Sequence, residues 1–252
     1  MDLRLHGKKV LVTGGSKGIG LGIAQAFAAE GADVGVVARG EEALKKLKEE
    51  FPEILTLQAD ISEKGERQRV FQAFIDKFGT IDVLINNAGG SSGGKTMETE
   101  IGQFEEAMHL NYFSAVHLSQ LAVPYMKNQG KGAIINITSI FGRESGGKPT
   151  YNSAKSAMIS MTKSLADEVI KDGIRVNGIA PGSILHPTGN WQKRLDENPE
   201  KINQFVEDQI PAGRFGTVEE IADVALFLAS EKASWIVGAN LNVDGGQSKS
   251  NF

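Results

Sequence analysis

The sequence contains no cysteine, and it has only 4 histidines, 3 tyrosines and 2 tryptophans in 252 residues. The absence of cysteine excludes disulfides, thiol nucleophiles, iron-sulfur clusters and zinc sites with thiolate ligands. The histidines do not have the spacing of a metal site, and we expect no metal; they are His6, His109, His117 and His186. Positive charge is not in excess either, because the formal net charge is -4. We therefore expect no nucleic-acid partner.

Long apolar runs are also missing. No run approaches the roughly 18 residues of a membrane span, and the opening M-D-L-R-L-H-G-K-K lacks the apolar core of a signal peptide. These features predict a cytoplasmic protein without a membrane partner. With 40% hydrophobic and 23% charged residues, the composition is that of an ordinary globular chain that can bury a large core.

Short β-branched runs alternate with longer helical patterns along the whole chain. This alternation predicts an α/β fold: a single doubly wound (Rossmann) domain over residues 1–252, with a seven-stranded parallel sheet and helices on both faces. Strands are predicted at 8–13, 33–38, 54–58, 81–86, 132–138, 174–180 and 239–243. Helices are predicted near 18–30, 41–50, 62–78, 101–128, 150–172 and 217–230.

One segment, about 183–216, breaks the alternation. It carries Trp191, Phe205 and Phe215 among many charges, and it is too long for a plain connection. Ligands of open α/β sheets bind outside the carboxyl ends of the strands, so an insertion there is placed to cover the site. We predict a substrate lid built of short helices; the alternative is a surface insertion without a role in binding.

A glycine-rich turn, T-G-G-S-K-G-I-G from Thr13 to Gly20, joins the first strand to the first helix. Glycines at such a place allow a tight turn and let a phosphate approach the backbone, and the helix N-terminus adds N–H groups and a positive dipole. The alternative is a structural turn that binds nothing. The position of this turn, between a strand and a helix, favours a dinucleotide site.

The spacing of Gly14, Gly18 and Gly20 resembles the T-G-x-x-x-G-x-G turn of the short-chain dehydrogenase/reductase family. Further motifs match in order: N-N-A-G ending at Gly89, Asn111 within a helix, Ser139 after the fifth strand, Y-N-S-A-K from Tyr151 to Lys155, P-G at Pro181, and V-D-G-G near the end. The overall pattern is most similar to the NADPH-dependent 3-oxoacyl-acyl-carrier-protein reductases. The resemblance implies an oxidoreductase that transfers hydride between a nicotinamide and a carbonyl or secondary alcohol.

Tyr151 and Lys155 lie four residues apart, on one face of a helix. A cation about 4 Å from a phenol lowers its pKa by about three units, which brings it towards neutrality. The resemblance implies that Tyr151 donates the proton, Ser139 polarises the carbonyl, and Lys155 also binds the nicotinamide ribose. It further implies a helix irregularity at Asn111 that holds a proton-supplying water; the alternative is a polar residue on a wet helix face.

The end of the second strand predicts NADP(H) rather than NAD. Asp33 stands at the wrong end of that strand to bind a ribose, whereas Arg39 stands at the right end, and Lys17 adds a second cation for a 2′-phosphate. The alternative is that both cations are merely solvated. The complete set of predicted cofactor-binding residues is Gly14, Ser16, Lys17, Gly18, Ile19, Gly20, Arg39, Asp60, Ile61, Asn87, Ala88, Gly89, Tyr151, Lys155, Pro181, Gly182 and Ile184.

Two positions stay open. Asp60 matches the family aspartate that contacts adenine, and it could equally cap the helix predicted near Ser62; the two roles are compatible. After P-G-S-I the family usually has a threonine near the nicotinamide; here His186 stands at that position and Thr188 two residues later. Either His186 replaces the threonine, or Thr188 takes its role through a shifted loop.

The substrate is expected to be a small-molecule carbonyl compound. An acyl-carrier-protein thioester is an alternative, which Lys131 favours and Asp172 disfavours, because that partner is acidic. From a different class, a catalytically silent NADP-binding sensor protein is the runner-up.

A homotetramer is expected, because the helices near 101–128 and 150–172 carry apolar residues on more than one face. These residues include Phe104, Met108, Phe113, Met158 and Met161.

Overall fold

A computed structural model describes residues 2–251, so Met1 and Phe252 lie outside the described part. Its seven strands form one parallel sheet in the order β3-β2-β1-β4-β5-β6-β7, which confirms the predicted doubly wound fold. The strands are β1 Lys9–Thr13, β2 Asp33–Ala38, β3 Leu55–Gln58, β4 Val83–Asn86, β5 Gly132–Ile137, β6 Ile174–Pro181 and β7 Asn240–Val243.

The central strands are apolar along their length because both faces of a parallel sheet are covered by helices. Val10, Leu11 and Val12 are fully buried although their side chains alternate between the two faces. Val10 and Val12 belong to one core cluster and Leu11 to the other, so the core has two layers, one on each side of the sheet.

Helices α1, α2 and α9 pack on one face of the sheet, and α3, α5 and α6 pack on the other. The helices are α1 Gly18–Ala29, α2 Glu41–Glu50, α3 Lys64–Phe78, α4 Ile101–Met108, α5 Ser114–Gln129, α6 Pro149–Val169, α7 Asn190–Glu197, α8 Pro199–Gln209 and α9 Val218–Ala229. Strand order reverses between β1 and β4, and at such a switch point the loops diverge and leave a crevice at the carboxyl ends.

The helix predicted over 101–128 is not continuous. A five-residue π-helical segment, His109–Phe113, separates α4 from α5 and centres on Asn111. Asparagine is a poor helix former because its side chain competes for backbone hydrogen bonds, and π segments accommodate such competition. The predicted irregularity at this asparagine is therefore present.

The segment after β6 folds into α7 and α8, as its length predicted. The Trp191 ring stacks on Phe205 with centroids 4.6 Å apart and lies 5.3 Å from Phe215. The guanidinium of Arg194 lies over the Trp191 ring, 4.9 Å from its centroid. These aromatic contacts hold the two short helices together. Between residues 2 and 251, no helix combines the length and the apolar character needed to cross a membrane.

Candidate active site

The crevice at the carboxyl ends of the strands is a cavity of about 1660 Å³. Its wall includes residues from the glycine turn, the ends of β4, β5 and β6, the start of α6, and the lid. Nine of the predicted site residues line it: Ile19, Asn87, Gly89, Ser139, Tyr151, Lys155, Pro181, Gly182 and Ile184. The sheet topology therefore brings residues from six separate stretches of the chain into one site.

The glycine turn needs glycine at three positions for different reasons. Gly14 and Gly18 have φ values of +64° and +57°, which side chains other than glycine rarely adopt. A Cβ at Gly20 would lie 2.3 Å from the amide nitrogen of Asn87 and 2.4 Å from the carbonyl oxygen of Gly14. Asn87 donates that amide to the carbonyl of Thr13 at 2.8 Å. The turn is thus tied to the N-N-A-G segment at the end of β4.

The same turn fits a pyrophosphate. Helix α1 begins at Gly18, and its N-cap, Lys17, is extended and makes no side-chain capping hydrogen bond. The first N–H groups of a helix need an acceptor, and an anion supplies it. Ser16 and Lys17 belong to the turn itself, and Ile19 faces the cavity. The residues present therefore suit a dinucleotide phosphate.

At the carboxyl end of β2, Arg39 stands beside Asp60, with 3.6 Å between Nη1 and a carboxylate oxygen. Burial raises the pKa of Asp60, but hydrogen bonds from Ser62 and the charge of Arg39 outweigh it, so the pKa is lowered. Asp33 lies at the other end of β2, where it pairs with Lys9. The carboxyl end of β2 therefore carries a guanidinium and no free carboxylate among these side chains.

The capping alternative for Asp60 is wrong. Asp60 accepts hydrogen bonds from the backbone and the hydroxyl of Ser62, at 2.9 and 2.7 Å, and so closes a local turn. Helix α3 begins at Lys64, two residues later than predicted, with Glu63 as its uncapped N-cap. The reason is that an Asp side chain satisfies the N–H two residues on in a turn as readily as in a helix.

The loop that carries Asp60 and Ile61 is supported by a residue that the sequence did not single out. Arg67 is 5% exposed and donates to the carbonyls of Ile61 and Ser62 at 2.8 and 3.1 Å. Its Nε also donates to Nδ1 of His117, 3.0 Å away on α5. The charged run around Arg67 is typical of a solvated helix face, so only the packed structure reveals this role.

Within residues 2–251, no group of three His, Cys, Asp or Glu side chains could hold a metal.

Asn111 is completely buried, which excludes the wet-face alternative. Its amide nitrogen donates to the carbonyls of Ala107 and Gly90, at 2.8 and 3.0 Å, and its oxygen accepts from the Gly90 N–H at 3.2 Å. A Cβ on Gly89 would lie 2.5 Å from the Asn111 oxygen and 3.2 Å from Nζ of Lys155. Asn111 and Lys155 therefore approach the same backbone segment, the one that follows β4.

Ser139 and Tyr151 meet at the end of β5. The Ser139 oxygen accepts from the N–H of Phe141 at 3.1 Å, which fixes the side chain at the start of a short 3₁₀ turn. Burial raises the pKa of the Tyr151 phenol, and a hydrogen bond with the Ser139 hydroxyl opposes that rise. The Ser139 hydroxyl thus lies within hydrogen-bonding range of the Tyr151 phenol, and both residues line the cavity.

The expected effect of Lys155 on Tyr151 is not present in this geometry. The ammonium lies 5.4 Å from the centre of the tyrosine ring and donates to the carbonyl of Ile137 at 2.7 Å. It is therefore placed at the face of the ring, and burial dominates the pKa of the phenol. Lys155 itself is 2% exposed, and burial lowers its pKa to about 7. The spacing predicted neighbouring side chains, but it could not predict which atoms would touch.

The loop after β6 carries Pro181, Gly182 and Ile184 along the cavity. Gly216 forms a parallel bridge with this loop: it donates to the carbonyl of Ser183 and accepts from the N–H of Leu185. The backbone N–H and C=O of Ile184 therefore point away from Gly216. Gln247, just after V-D-G-G, accepts from the Ser183 N–H at 2.7 Å and steadies this loop. V-D-G-G matched a family motif, but no feature of the sequence singled out Gln247.

The structure distinguishes His186 from Thr188. His186 lines the cavity beside Gly18, whereas Thr188 is exposed and faces His186, with 3.3 Å between its hydroxyl oxygen and Nδ1. Burial and the charge of Lys17 lower the pKa of His186. His186 thus occupies the position near the cofactor crevice, and Thr188 supports it from outside.

Comparison with known proteins identifies relatives of this chain. The family model described as enoyl-(acyl carrier protein) reductase matches residues 14–248. The chain is 38% identical to the 3-oxoacyl-[acyl-carrier-protein] reductase of Chlamydia pneumoniae over 251 residues, covering 98% of this chain and 99% of the relative. It is also 38% identical to the 7alpha-hydroxysteroid dehydrogenase of Escherichia coli K12 over 250 residues, covering 97% and 96%.

Among solved structures, the chain is similar to the L-sorbose reductase of Gluconobacter frateurii, crystallised with NADPH and L-sorbose. The TM-score is 0.92 at 37% identity, and the match covers 99% of this chain and 100% of the other. The similarity extends over whole chains, so the lid and the crevice are included in it.

Proposed function

The chain belongs to the short-chain dehydrogenase/reductase family, an oxidoreductase of alcohol and ketone groups, and we propose that it works as an NADP(H)-dependent carbonyl reductase with Tyr151 as its general acid and base. The observation that carries this proposal is the convergence of the Ser139 and Tyr151 hydroxyls, with buried Lys155 alongside, on one wall of the cavity.

The nicotinamide, when bound, supplies or accepts the hydride. Ser139 donates a hydrogen bond to the substrate oxygen, and Tyr151 donates the proton that this oxygen needs as negative charge develops on it. Lys155 provides a buried cation beside the ring. We assign Asn111 a supporting role, because it fixes the backbone of Gly90, next to Gly89, which Lys155 approaches. Helices α7 and α8 cover the substrate.

We propose NADP(H) as the cofactor rather than NAD. Relatives differ in this respect: the sorbose reductase structure contains NADPH, and a structure of 7 alpha-hydroxysteroid dehydrogenase at 36% identity contains NADH. The choice therefore depends on this chain's own residues. Arg39 and Lys17 are the cations near the adenosine and phosphate ends, and the Asp60 carboxylate is engaged by Ser62 and Arg39. A 2′-phosphate would bind Arg39 by charge-assisted hydrogen bonds.

A small-molecule carbonyl compound is the proposed substrate. Lys131 was the residue that favoured the carrier-protein alternative, yet it directly precedes β5, at the end of the sheet opposite the cavity. Asp172 similarly precedes β6 and pairs with Lys127 at 2.7 Å. On a single chain, neither residue flanks the entrance. The sensor alternative finds no support, because a pure binder does not need the Ser139 and Tyr151 pair.

We also propose a homotetramer, although two of the apolar residues expected at its interface do not lie at the surface. Met158 and Met161 are buried within the single chain, where they pack against Ala115. Phe113 remains 44% exposed and Trp235 98% exposed, and these side chains support an interface. Light scattering in solution would measure the mass, and a monomer would contradict the proposal.

A substrate screen tests the function. The protein is mixed with NADPH and, in turn, with small ketones, keto sugars, keto steroids and an acyl-carrier-protein thioester, and the loss of NADPH absorbance is followed. We expect turnover with at least one small carbonyl compound, and a higher catalytic efficiency with NADPH than with NADH. The absence of turnover across the panel would contradict the reductase, and a preference for NADH would contradict the cofactor assignment.

A further inference from the structure

The imidazole of His186 occupies a slot between two glycines from different loops. A Cβ on Gly18 would lie 2.8 Å from both Cε1 and Nε2 of this ring, and a Cβ on Gly189 would lie 2.8 Å from Nε2 and 2.9 Å from Cε1. Both distances are below those of ordinary carbon contacts, so the slot exists only because neither residue has a side chain. The Nε2 end of His186 thus rests on the first residue of α1.

Thr188 contacts the ring nitrogen of His186 that lies away from Gly18. Its hydroxyl lies 3.3 Å from Nδ1, on the side of the ring away from the glycine turn. A hydroxyl that donates to Nδ1 leaves the proton of neutral imidazole on Nε2. The Nε2–H group is then the donor that lies at the glycine turn, where a phosphate would accept it.

The charged surroundings of the ring are simple. Lys17, the N-cap of α1, lowers the pKa of His186 by its charge, after burial, which has the larger effect. The rest of the His186 loop, Pro187 to Gly189, has no charged side chain, and α7 opens with Asn190 and Trp191 before its first charged residue, Lys193. No carboxylate contributes to this shift, so burial and the charge of Lys17 both disfavour the imidazolium form.

We propose that His186 binds the cofactor pyrophosphate through its Nε2–H group and that it takes up a proton when NADP(H) binds. This inference rests on the proposed function, because it needs a dinucleotide at the glycine turn. A phosphate beside the ring favours the imidazolium form and opposes the effect of Lys17. By linkage, the affinity for NADP(H) then increases as pH falls between the titration of the free and the bound protein.

Calorimetry of NADP⁺ binding to the full-length protein tests the inference without turnover. Titrations near pH 6.5 in two buffers of different ionisation enthalpy give the number of protons taken up, and a series from about pH 5.5 to about 8 gives the affinity profile. The matched variant is His186→Gln, whose amide can donate in place of Nε2–H but does not titrate. The adenosine 2′-phosphate also titrates near pH 6, and its contribution is common to both proteins.

The wild-type protein should take up more protons than His186→Gln, and the ratio of their affinities should rise up to about tenfold as pH falls, for a pKa change of about one unit. Thr188→Val should weaken binding at neutral pH while the proton uptake remains. Equal proton uptake in wild type and His186→Gln would overturn the inference, and unchanged binding by Thr188→Val would overturn the role of the hydroxyl. If instead wild type binds no NADP⁺ at any pH, the proposed function itself has failed.

Discussion

The two ends of the cofactor crevice use positive charge in opposite ways. At the reacting end, Lys155 is 2% exposed and pairs with no carboxylate within residues 2–251; it donates to the carbonyl of Ile137. At the end where we propose that the adenosine binds, the Arg39 side chain is 69% exposed and lies 3.6 Å from Asp60. Burial of Lys155 therefore costs desolvation free energy, whereas Arg39 remains hydrated.

This difference determines what each charge can do. Burial lowers the pKa of Lys155 to about 7, because desolvation disfavours the charged form. Such a group can change its protonation state near neutral pH, which suits proton transfer. An exposed guanidinium, by contrast, is screened by water. It can select a ligand by charge, but it contributes little to chemistry.

Lys155→Met is the substitution with the larger expected effect. We expect turnover to fall about 100-fold or more, because a buried group that can change its protonation state near neutral pH is lost from beside Tyr151. We also expect the free energy of unfolding at pH 7 to rise by about 1–3 kcal/mol, since the desolvation cost disappears while one hydrogen bond to Ile137 is lost. Urea denaturation and steady-state kinetics measure the two effects.

The pH dependence of stability supplies the control for this variant. The folded pKa of Lys155 is about 7 and its model-compound value is 10.5, so the unfolded chain binds more protons between these values. The stability contribution of this group is therefore present above about pH 10.5 and is lost as pH falls through about 7. The excess in the free energy of unfolding of Lys155→Met over wild type should therefore decrease between about pH 7 and about 9. A variant that is less stable than wild type at both pH values would contradict the buried charge.

Arg39→Ala should have a smaller and more selective effect. We expect the catalytic efficiency with NADPH to fall about tenfold, the value of a lost hydrogen bond to a charged group, while the efficiency with NADH changes little. Lys9→Ala is a matched control, because it removes a cation at the opposite end of the sheet. An equal loss with both cofactors would show that Arg39 supports the loop rather than the 2′-phosphate.

Local rules predicted much of this molecule. Apolar runs identified the strands because both faces of a parallel sheet are buried, and the glycine spacing identified the phosphate turn because few residues tolerate its backbone. The family resemblance implied a helix irregularity at Asn111, and the poor helix propensity of asparagine agreed with it. Such signals depend on a few adjacent residues, so they can be read without the fold.

Features that depend on distant contacts could not be read in this way. Arg67 looks like a surface residue until Ile61 and His117 are packed against it. The side chain of His186 finds its slot only when the loops of Gly18 and Gly189 meet. The spacing of Tyr151 and Lys155 predicted contact, but the carbonyl of Ile137, from another strand, decides where the ammonium lies.

The central claim is that Tyr151 supplies the proton for reduction at this site, and Tyr151→Phe tests it most directly. The variant removes a single oxygen atom and keeps the ring that Lys155 contacts. With a substrate found in the screen, we predict that it binds NADPH as wild type does and that turnover falls by about 10²–10⁴-fold, the contribution of general acid catalysis. Turnover comparable to wild type would contradict the mechanism.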